Sequence, residues 1–289
     1  DVYKRQADVV RPPLQKRPLS CMIYLLICTH MERNFVFMHI RKASVFFAAI
    51  LLVLSLASSA LAQGLPMNDF SSGPAPKDEN YLSDTEYKDA SISVQLYEGV
   101  SGITPYNYAH VKISHPSQLR TAPAGKVSTQ DATFFFQSTS RGRNVAKAVN
   151  AVVAINGDFY TKTDRCQVLL RQGQQYRNLY RDEGSGMSDL LVIDMQGNLT
   201  GLQNCFKKDY AAYYEENKEN LYQVISFGPV LCRDGVSIIP QDYKNNFIGA
   251  QKGTQRSAIA QIGPLEYLLI SCEGPQTTHN KGGLTIYEF

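Results

Sequence analysis

The sequence has little of what a zinc centre needs. It contains five histidines and six cysteines in 289 residues, with no C-x-x-C motif and no histidine pair accompanying the cysteines. Structural zinc sites use cysteine and histidine ligands at such short spacings. The sequence therefore argues against a zinc site. We predict no cofactor, and a requirement for a divalent cation stays open.

The chain also lacks a strong excess of charge of either sign. Its 29 Lys and Arg residues and 26 Asp and Glu residues give a formal net charge of +3. Eight of the basic and three of the acidic residues lie in residues 1–62, so the remainder carries 21 basic and 23 acidic side chains. A basic patch is the electrostatic footprint of a nucleic-acid-binding protein. We therefore predict no nucleic-acid partner.

No hydrophobic run reaches the usual length of a membrane-spanning helix. The stretch 43–57 is small and apolar, and about 15 residues fall short of the roughly 20 that a bilayer span needs. It follows a basic segment, residues 39–42, and precedes an A-x-A site, Ala60-Leu61-Ala62, as in a secretory signal peptide. We interpret residues 31–62 as a signal peptide and residues 1–30 as an upstream translation artefact. A membrane anchor is the alternative.

These assignments predict a secreted, periplasmic or cell-envelope protein that contacts a membrane only through its signal segment. Residues 63–90 are rich in Gly, Pro, Ser, Asp and Lys and lack apolar periodicity, which is typical of a flexible linker. The remaining residues, 91–289, are predicted to form one domain, which is long enough to bury a sizeable core.

Four cysteines remain after residue 62, and four cysteines allow three pairings. Cys166 and Cys205 lie in polar, loop-like sequence, whereas Cys232 and Cys272 lie at the ends of apolar strands. A free thiol at such a strand end packs as a small hydrophobic side chain. We favour a disulfide between Cys166 and Cys205.

Short apolar segments bounded by Gly, Pro and Asp dominate the region after residue 90, and many of them alternate apolar with polar residues. This pattern predicts β-strands. The predicted strands are 91–97, 109–113, 133–137, 151–155, 168–170, 190–194, 199–202, 224–227, 230–232, 236–239, 257–262 and 267–272. Residues 143–150 and 208–220 are predicted to be helical. The predicted fold is a single α+β domain with a large, mostly antiparallel sheet and a few flanking helices.

Four short motifs follow one another along the chain: Asn156-Gly157-Asp158-Phe159-Tyr160, Ser226-Phe227-Gly228-Pro229-Val230-Leu231, Gln255-Arg256-Ser257-Ala258-Ile259-Ala260 and Gly282-Gly283-Leu284-Thr285-Ile286-Tyr287-Glu288. In this order they resemble the phosphodiester glycosidase family, and the resemblance runs from about residue 91 to residue 289. It implies hydrolysis of a sugar 1-phosphodiester, of the N-acetylglucosamine-1-phosphate type, to a free sugar and a phosphomonoester. The implied partner is a carbohydrate phosphodiester substrate.

Family members continue past the last motif into a helix and a loop resembling Asn-Leu-Asp-Gly-Gly-Gly-Ser. This sequence stops before that loop. We therefore expect a domain that is incomplete at its C-terminus and whose activity is in doubt.

Three carboxylates are candidate catalytic groups, because cleavage at an anomeric carbon through an oxocarbenium-like state needs a nearby carboxylate. Asp158 follows an apolar run and could act as base, nucleophile or sugar ligand, or could only stabilise a turn. Glu273 follows a predicted strand and could instead be a solvated loop residue. Glu288 lies in a T-x-x-E pattern, so a helix-capping role competes with catalysis.

Arg256 is the candidate phosphate ligand, because its planar fork can bind two phosphate oxygens. Its alternative role is a surface ion pair. Five further residues are candidate substrate-binding positions: Asn156, Gly157, Gly228, His279 and Gly283. Gly157 is expected to adopt a positive φ or to allow close approach of a ligand.

We therefore predict a secreted phosphodiester glycosidase acting in envelope or exopolysaccharide metabolism. The alternative is a noncatalytic carbohydrate-binding or envelope-assembly module with the same fold. A weaker third hypothesis, a metal-dependent phosphodiesterase, has only three unclustered histidines after residue 62.

Overall fold

Antiparallel β-structure dominates the protein in the computed structural model, which describes residues 64–124, 140–158, 168–178, 189–205, 207–246, 248–275 and 282–289. In chain order the strands are β1 (Tyr81–Ser83), β2 (Glu86–Lys88), β3 (Ile92–Ser101), β4 (Thr104–Ile113), β5 (Val168–Arg171), β6 (Gln174–Asn178), β7 (Leu190–Asp194), β8 (Leu199–Leu202), β9 (Leu221–Ile225), β10 (Cys232–Arg233), β11 (Val236–Ser237), β12 (Arg256–Gly263) and β13 (Glu266–Cys272). The α-helices among these residues are α1 (Gly142–Ala148) and α2 (Lys207–Asn217).

The strands form two main sheets. The first has six strands in the order β1-β2-β3-β4-β13-β12, and the second has five in the order β6-β5-β9-β7-β8. Strands β10 and β11 form a separate two-stranded ribbon. Neighbouring strands pair antiparallel in all three. The predicted class, an α+β domain built mostly on antiparallel sheet, is confirmed, although two sheets replace the single large one.

The first core covers one face of the six-stranded sheet. In β4 the alternate residues Ala109, Val111 and Ile113 are buried, as the period of two along a strand requires. Tyr267 of β13 joins them at 0% exposure. Its hydroxyl donates a 2.6 Å hydrogen bond to the carbonyl oxygen of Gly197. The β7–β8 turn therefore packs directly on this core.

A second core lies in the five-stranded sheet. Val168, Leu170, Val192 and Val224 are each at most 1% exposed and form one cluster with residues of helix α2. The buried face of the helix includes Tyr210, against which the strands pack. Burial of this cluster fixes the position of α2 against the sheet.

The sequence pattern predicts most of these elements correctly. Strands β7 and β8 have the predicted bounds, and β3, β4, β5, β9, β12 and β13 overlap their predicted segments. Helices α1 and α2 also occur where they are predicted. The predicted strand 133–137 lies outside the described residues.

The predicted linker, residues 63–90, is wrong in its C-terminal part. Strands β1 and β2 belong to the six-stranded sheet, and Tyr87 of β2 is 4% exposed. Both strands are three residues long, and Tyr87 is the one buried side chain in β1 and β2. Such short, polar edge strands carry no apolar periodicity, which is why their sequence resembles a linker.

The predicted buried strand 151–155 is also wrong. These residues are half-buried and form no strand. The amide of Ala151 donates to the carbonyl oxygen of Ala146 in helix α1 at 2.9 Å, so the segment continues from the end of that helix. Val152 and Val153 still pack against the core of the six-stranded sheet. The apolar run therefore reflects packing of side chains without a β-ladder.

Within the described part of the chain, no helix has both the length and the apolar character needed to cross a bilayer.

Leu170→Ala is expected to lower the free energy of unfolding by about 2–5 kcal/mol, because it opens a cavity in the core. Leu170 is 1% exposed, whereas Leu82 is 58% exposed. Leu82→Ala is therefore the matched control, with an expected change below about 0.5 kcal/mol. Urea unfolding followed by circular dichroism measures both. Equal losses in the two variants would contradict the position of Leu170 in the core.

Candidate active site

The end of strand β13 brings together three predicted site residues. Arg256, the first residue of β12, pairs with Cys272, the last residue of β13. Glu273 follows Cys272 directly, and its amide donates to the carbonyl oxygen of Pro105 at 2.9 Å. Gly283 precedes Leu284, which forms a β-bridge with Thr254. We call Arg256, Glu273 and Gly283 the strand-end cluster.

Glu273 is the most unusual carboxylate in the strand-end cluster. The residue is half-buried, and its Oε2 atom is buried without a hydrogen-bond partner among the described residues. An unsatisfied buried acceptor costs about 1–3 kcal/mol, and most such atoms in proteins are satisfied. An acceptor in this state is suited to receive a donor from a ligand.

The glycines beside Glu273 allow the chain segments to approach closely. Gly283 has a φ of 76°, and a Cβ atom there would lie 2.4 Å from the amide nitrogen of Thr254. A Cβ atom on Gly274 would lie 2.2 Å from the amide nitrogen of Gln255. Both positions therefore require glycine because of the neighbouring backbone. Close packing against Thr254 therefore explains the glycine at position 283 without the predicted ligand contact.

The guanidinium of Arg256 binds backbone carbonyl groups. Its Nε atom donates to Leu284 at 2.9 Å, its Nη2 atom to Gly249 and Lys252 at 2.8 and 2.9 Å, and its Nη1 atom to Ile248 at 3.3 Å. A guanidinium has five N–H donors. With four of them used, the two-pronged fork expected for a phosphate is not available in this structure. Arg256 instead holds the loop before β12 against the C-terminal segment.

Glu288 is a capping residue. Its carboxylate accepts hydrogen bonds from the amide and the hydroxyl of Thr285 at 2.8 and 2.9 Å, and its own amide donates to that hydroxyl at 3.2 Å. These bonds lower the pKa of Glu288. The reciprocal arrangement is a capping box. The structure thus supports the capping alternative for Glu288 over the catalytic one.

Asp158 lies in a different place, beside the five-stranded sheet. Its carboxylate forms an ion pair with Arg171, the last residue of β5, and accepts a 2.9 Å hydrogen bond from the amide of Ser226. Arg171 is 4% exposed and also donates to the carbonyl oxygens of Leu170 and Val224. Both carboxylate oxygens of Asp158 are therefore engaged, and the residue ties its loop to the ends of β5 and β9.

Asn156 and Gly157 are exposed, and Gly157 does not have the expected positive φ. Gly228 lies in a tight place, where a Cβ atom would come within 2.5 Å of Asp189. Asp189 in turn accepts a 2.9 Å hydrogen bond from the amide of Val230. The absence of a side chain at Gly228 therefore lets the backbone pass close to Asp189. The structure gives Gly228 a packing role.

His279 and Cys166 lie outside the described residues. Cys205 is a buried free thiol, which contradicts the predicted disulfide with Cys166. Among the described residues no group of three or more His, Cys, Asp or Glu side chains could hold a metal ion.

The comparison with protein families agrees with the order of the motifs. A model of the phosphodiester glycosidase family matches residues 149–289. The resemblance to the phosphodiester glycosidase family is therefore confirmed over residues 149–289. The match contains all four motifs and the strand-end cluster, and it covers a little under half of the chain. No curated protein sequence matches the chain.

This family match supports a glycosidase-type hydrolase that acts on phosphodiesters. Sequence reasoning missed two side chains of the matched region. Arg171 ends an apolar strand, and a charged residue at the end of a buried run is the signal that could have found it. Asp189 precedes β7 after a polar segment, and nothing in its local sequence distinguishes it from a loop residue.

Asp158→Asn is expected to lower the free energy of unfolding by about 3–5 kcal/mol, because it leaves the buried charge of Arg171 without its partner. Burial lowers the pKa of Arg171 to about 9, so the side chain stays charged at neutral pH. Asp84 is exposed in the β1–β2 turn, and Asp84→Asn is the control. Chemical unfolding at pH 7 measures both variants. Adding Arg171→Met to Asp158→Asn should restore part of the loss, and a further loss would contradict the ion pair.

Cys205 is expected to resist alkylation in the folded protein. Burial, with smaller contributions from Asp209 and Asp189, raises its pKa to about 11, and only the thiolate is nucleophilic. Cys232 is exposed and serves as the internal control. Iodoacetamide at pH 8 should modify Cys232 in the native protein and Cys205 only after unfolding, as read by peptide mass mapping. If Cys205 reacts only after reduction, it is in a disulfide and the free thiol is wrong.

Proposed function

We propose that this protein is a secreted hydrolase that cleaves a sugar 1-phosphodiester of the N-acetylglucosamine-1-phosphate type in envelope or exopolysaccharide metabolism. The proposal extends the family assignment of residues 149–289. The observation that carries it is the buried, unpartnered oxygen of Glu273 inside the matched region. The signal-like segment 31–62 supports export.

Glu273 is the carboxylate best placed to act at the anomeric carbon. Asp158 is engaged by Arg171 and Ser226, and Glu288 is engaged by Thr285. Glu273 alone among the three predicted catalytic carboxylates has a buried oxygen atom that is not hydrogen-bonded within the described residues. A carboxylate with free acceptor capacity can stabilise positive charge that develops at C1 in the transition state.

The reaction breaks the bond between C1 and the bridging oxygen. The electron pair of that bond leaves with the phosphate oxygen, so the products are a phosphomonoester and an oxocarbenium-like centre that water captures. The captured water then loses a proton, which gives the free sugar. A phosphomonoester is a good leaving group and depends less on a strong general acid than a sugar alkoxide does. One well-placed carboxylate is therefore the minimum requirement.

Arg256 has a supporting role in this proposal. Its hydrogen bonds to Leu284 and to the loop 248–252 hold that loop against the C-terminal segment. A charged side chain that satisfies several carbonyl groups makes these segments rigid. Arg256 thus supports the start of β12 and is not the phosphate ligand in this proposal.

Glu273→Gln is expected to lower kcat/KM for an N-acetylglucosamine-1-phosphodiester about 10²–10⁴-fold, as for loss of a carboxylate used in the reaction. Glu266→Gln is the matched control, because Glu266 lies at the other end of β13 and pairs with His110 at 2.7 Å. Release of free sugar by the full chain is the measurement. Turnover of no sugar phosphodiester would contradict the proposed activity, and equal effects of both variants would contradict the role of Glu273.

Isotope labelling identifies the bond that breaks. Hydrolysis in H₂¹⁸O should place the label in the released sugar, because water attacks C1. Label in the phosphomonoester would show cleavage of the P–O bond and would favour a phosphodiesterase. Mass spectrometry of the two products distinguishes these results.

A further inference from the structure

The strand register places a row of polar side chains across the six-stranded sheet. Glu98 of β3 pairs with Asn107 of β4, Asn107 pairs with Ser271 of β13, and Ser271 pairs with Ser257 of β12. Residues directly opposite one another on antiparallel strands point to the same face. We call Asn107, Ser271 and Ser257 the polar row, with Glu98 at its exposed end.

The polar row lies on the core face of the sheet. The neighbouring row on the same face lies two residues further along each strand and consists of Leu96, Ala109, Leu269 and Ile259. The first three of these pack in the core. Side chains two residues apart on a strand share a face and are about 7 Å apart. The row therefore begins where the apolar core ends.

The three side chains of the polar row have unused hydrogen-bonding capacity. Asn107, Ser271 and Ser257 are half-buried, and their side chains form no hydrogen bond with another described residue. An amide can make four hydrogen bonds and each hydroxyl three. A half-buried polar group without a hydrogen-bond partner destabilises the folded protein unless water or a ligand satisfies it. This state is typical of a binding surface.

Glu273 continues the same face. It follows Ser271 by two residues, and its amide extends the ladder to Pro105 at 2.9 Å. By the alternation of the strand its side chain points to the side that the polar row occupies. Arg256 pairs with Cys272, which lies between Ser271 and Glu273, and so belongs to the opposite face. The row and the carboxylate therefore form one surface without Arg256.

We propose that the polar row binds the hydroxyl and acetamido groups of the sugar ring beside Glu273. This inference rests on the proposed function, because it locates the sugar end of the same substrate. Two hydroxyls and an amide donate and accept as sugar substituents do. Strands lie about 4.8 Å apart, so the row from Asn107 to Ser257 spans about 10 Å and accommodates a single substituted pyranose ring.

Charge decides which end of the substrate lies here. The row is neutral and is flanked by the carboxylates of Glu98 and Glu273, which repel a phosphate. The sugar is the uncharged part of the substrate. The phosphodiester therefore points away from the row, and the scissile C1–O bond lies at the boundary between the two regions.

The experiment compares Asn107→Ala and Ser271→Ala with Ser93→Ala. Ser93 is half-buried in β3 and pairs with Lys112 of β4, five residues along β4 from Asn107 and therefore on the opposite face. Each row variant is expected to lower kcat/KM for an N-acetylglucosamine-1-phosphodiester about 2–10-fold, which corresponds to the loss of one or two hydrogen bonds. The Ser93 variant is expected to keep the wild-type value.

Binding is measured separately by NMR with the wild-type chain, so that it does not depend on variants or turnover. N-acetylglucosamine should shift the amide signals of Asn107 and Ser271, and glycerol phosphate should not. Shifts with both probes, or with glycerol phosphate alone, overturn the polar row as a sugar site.

The two proposals can fail independently. Hydrolysis with unchanged kinetics in both row variants overturns the polar row and leaves the hydrolase in place. Sugar-dependent shifts without turnover of any sugar phosphodiester support the row and overturn the hydrolase.

Discussion

The pairing of β13 with β4 on one side and β12 on the other is the constraint on which the candidate site depends. These ladders align Asn107, Ser271 and Ser257 and place Glu273 at the end of the same face. A shift of one residue in either ladder would send these side chains to the other face. Buried Tyr267, whose hydroxyl binds Gly197, allows only one register. The core of the sheet therefore determines the chemistry available at its end.

The charged groups of the motifs mostly serve the backbone. Arg256 donates to carbonyl oxygens of the loop before β12 and of Leu284. Asp158 accepts from the amide of Ser226 and pairs with Arg171, which lies outside the motifs and donates to carbonyl oxygens of β5 and β9. In each case a charge removed from water is compensated by several acceptors. A motif that marks a family can thus mark its architecture as well as its reacting groups.

The sequence predicted the strands better than the site. Period-two alternation found β3 and β4, because each packs one face in the core. Short apolar runs between turn residues found β7 and β13. It failed for residues 151–155, whose apolar side chains pack without a ladder, and for β1 and β2, whose edge positions need few apolar residues. Which strands pair, and in which register, depends on contacts between distant residues. The polar row and the partner of Asp158 were therefore not visible in the sequence.

The hydrogen bonds of Arg256 also bear on how the protein unfolds. One side chain joins the loop 248–252 to Leu284, some thirty residues further along the chain. Release of either segment leaves donors of a half-buried cation without acceptors, which is costly. The loop and the C-terminal segment therefore detach together, and protection of their amides against hydrogen exchange is coupled.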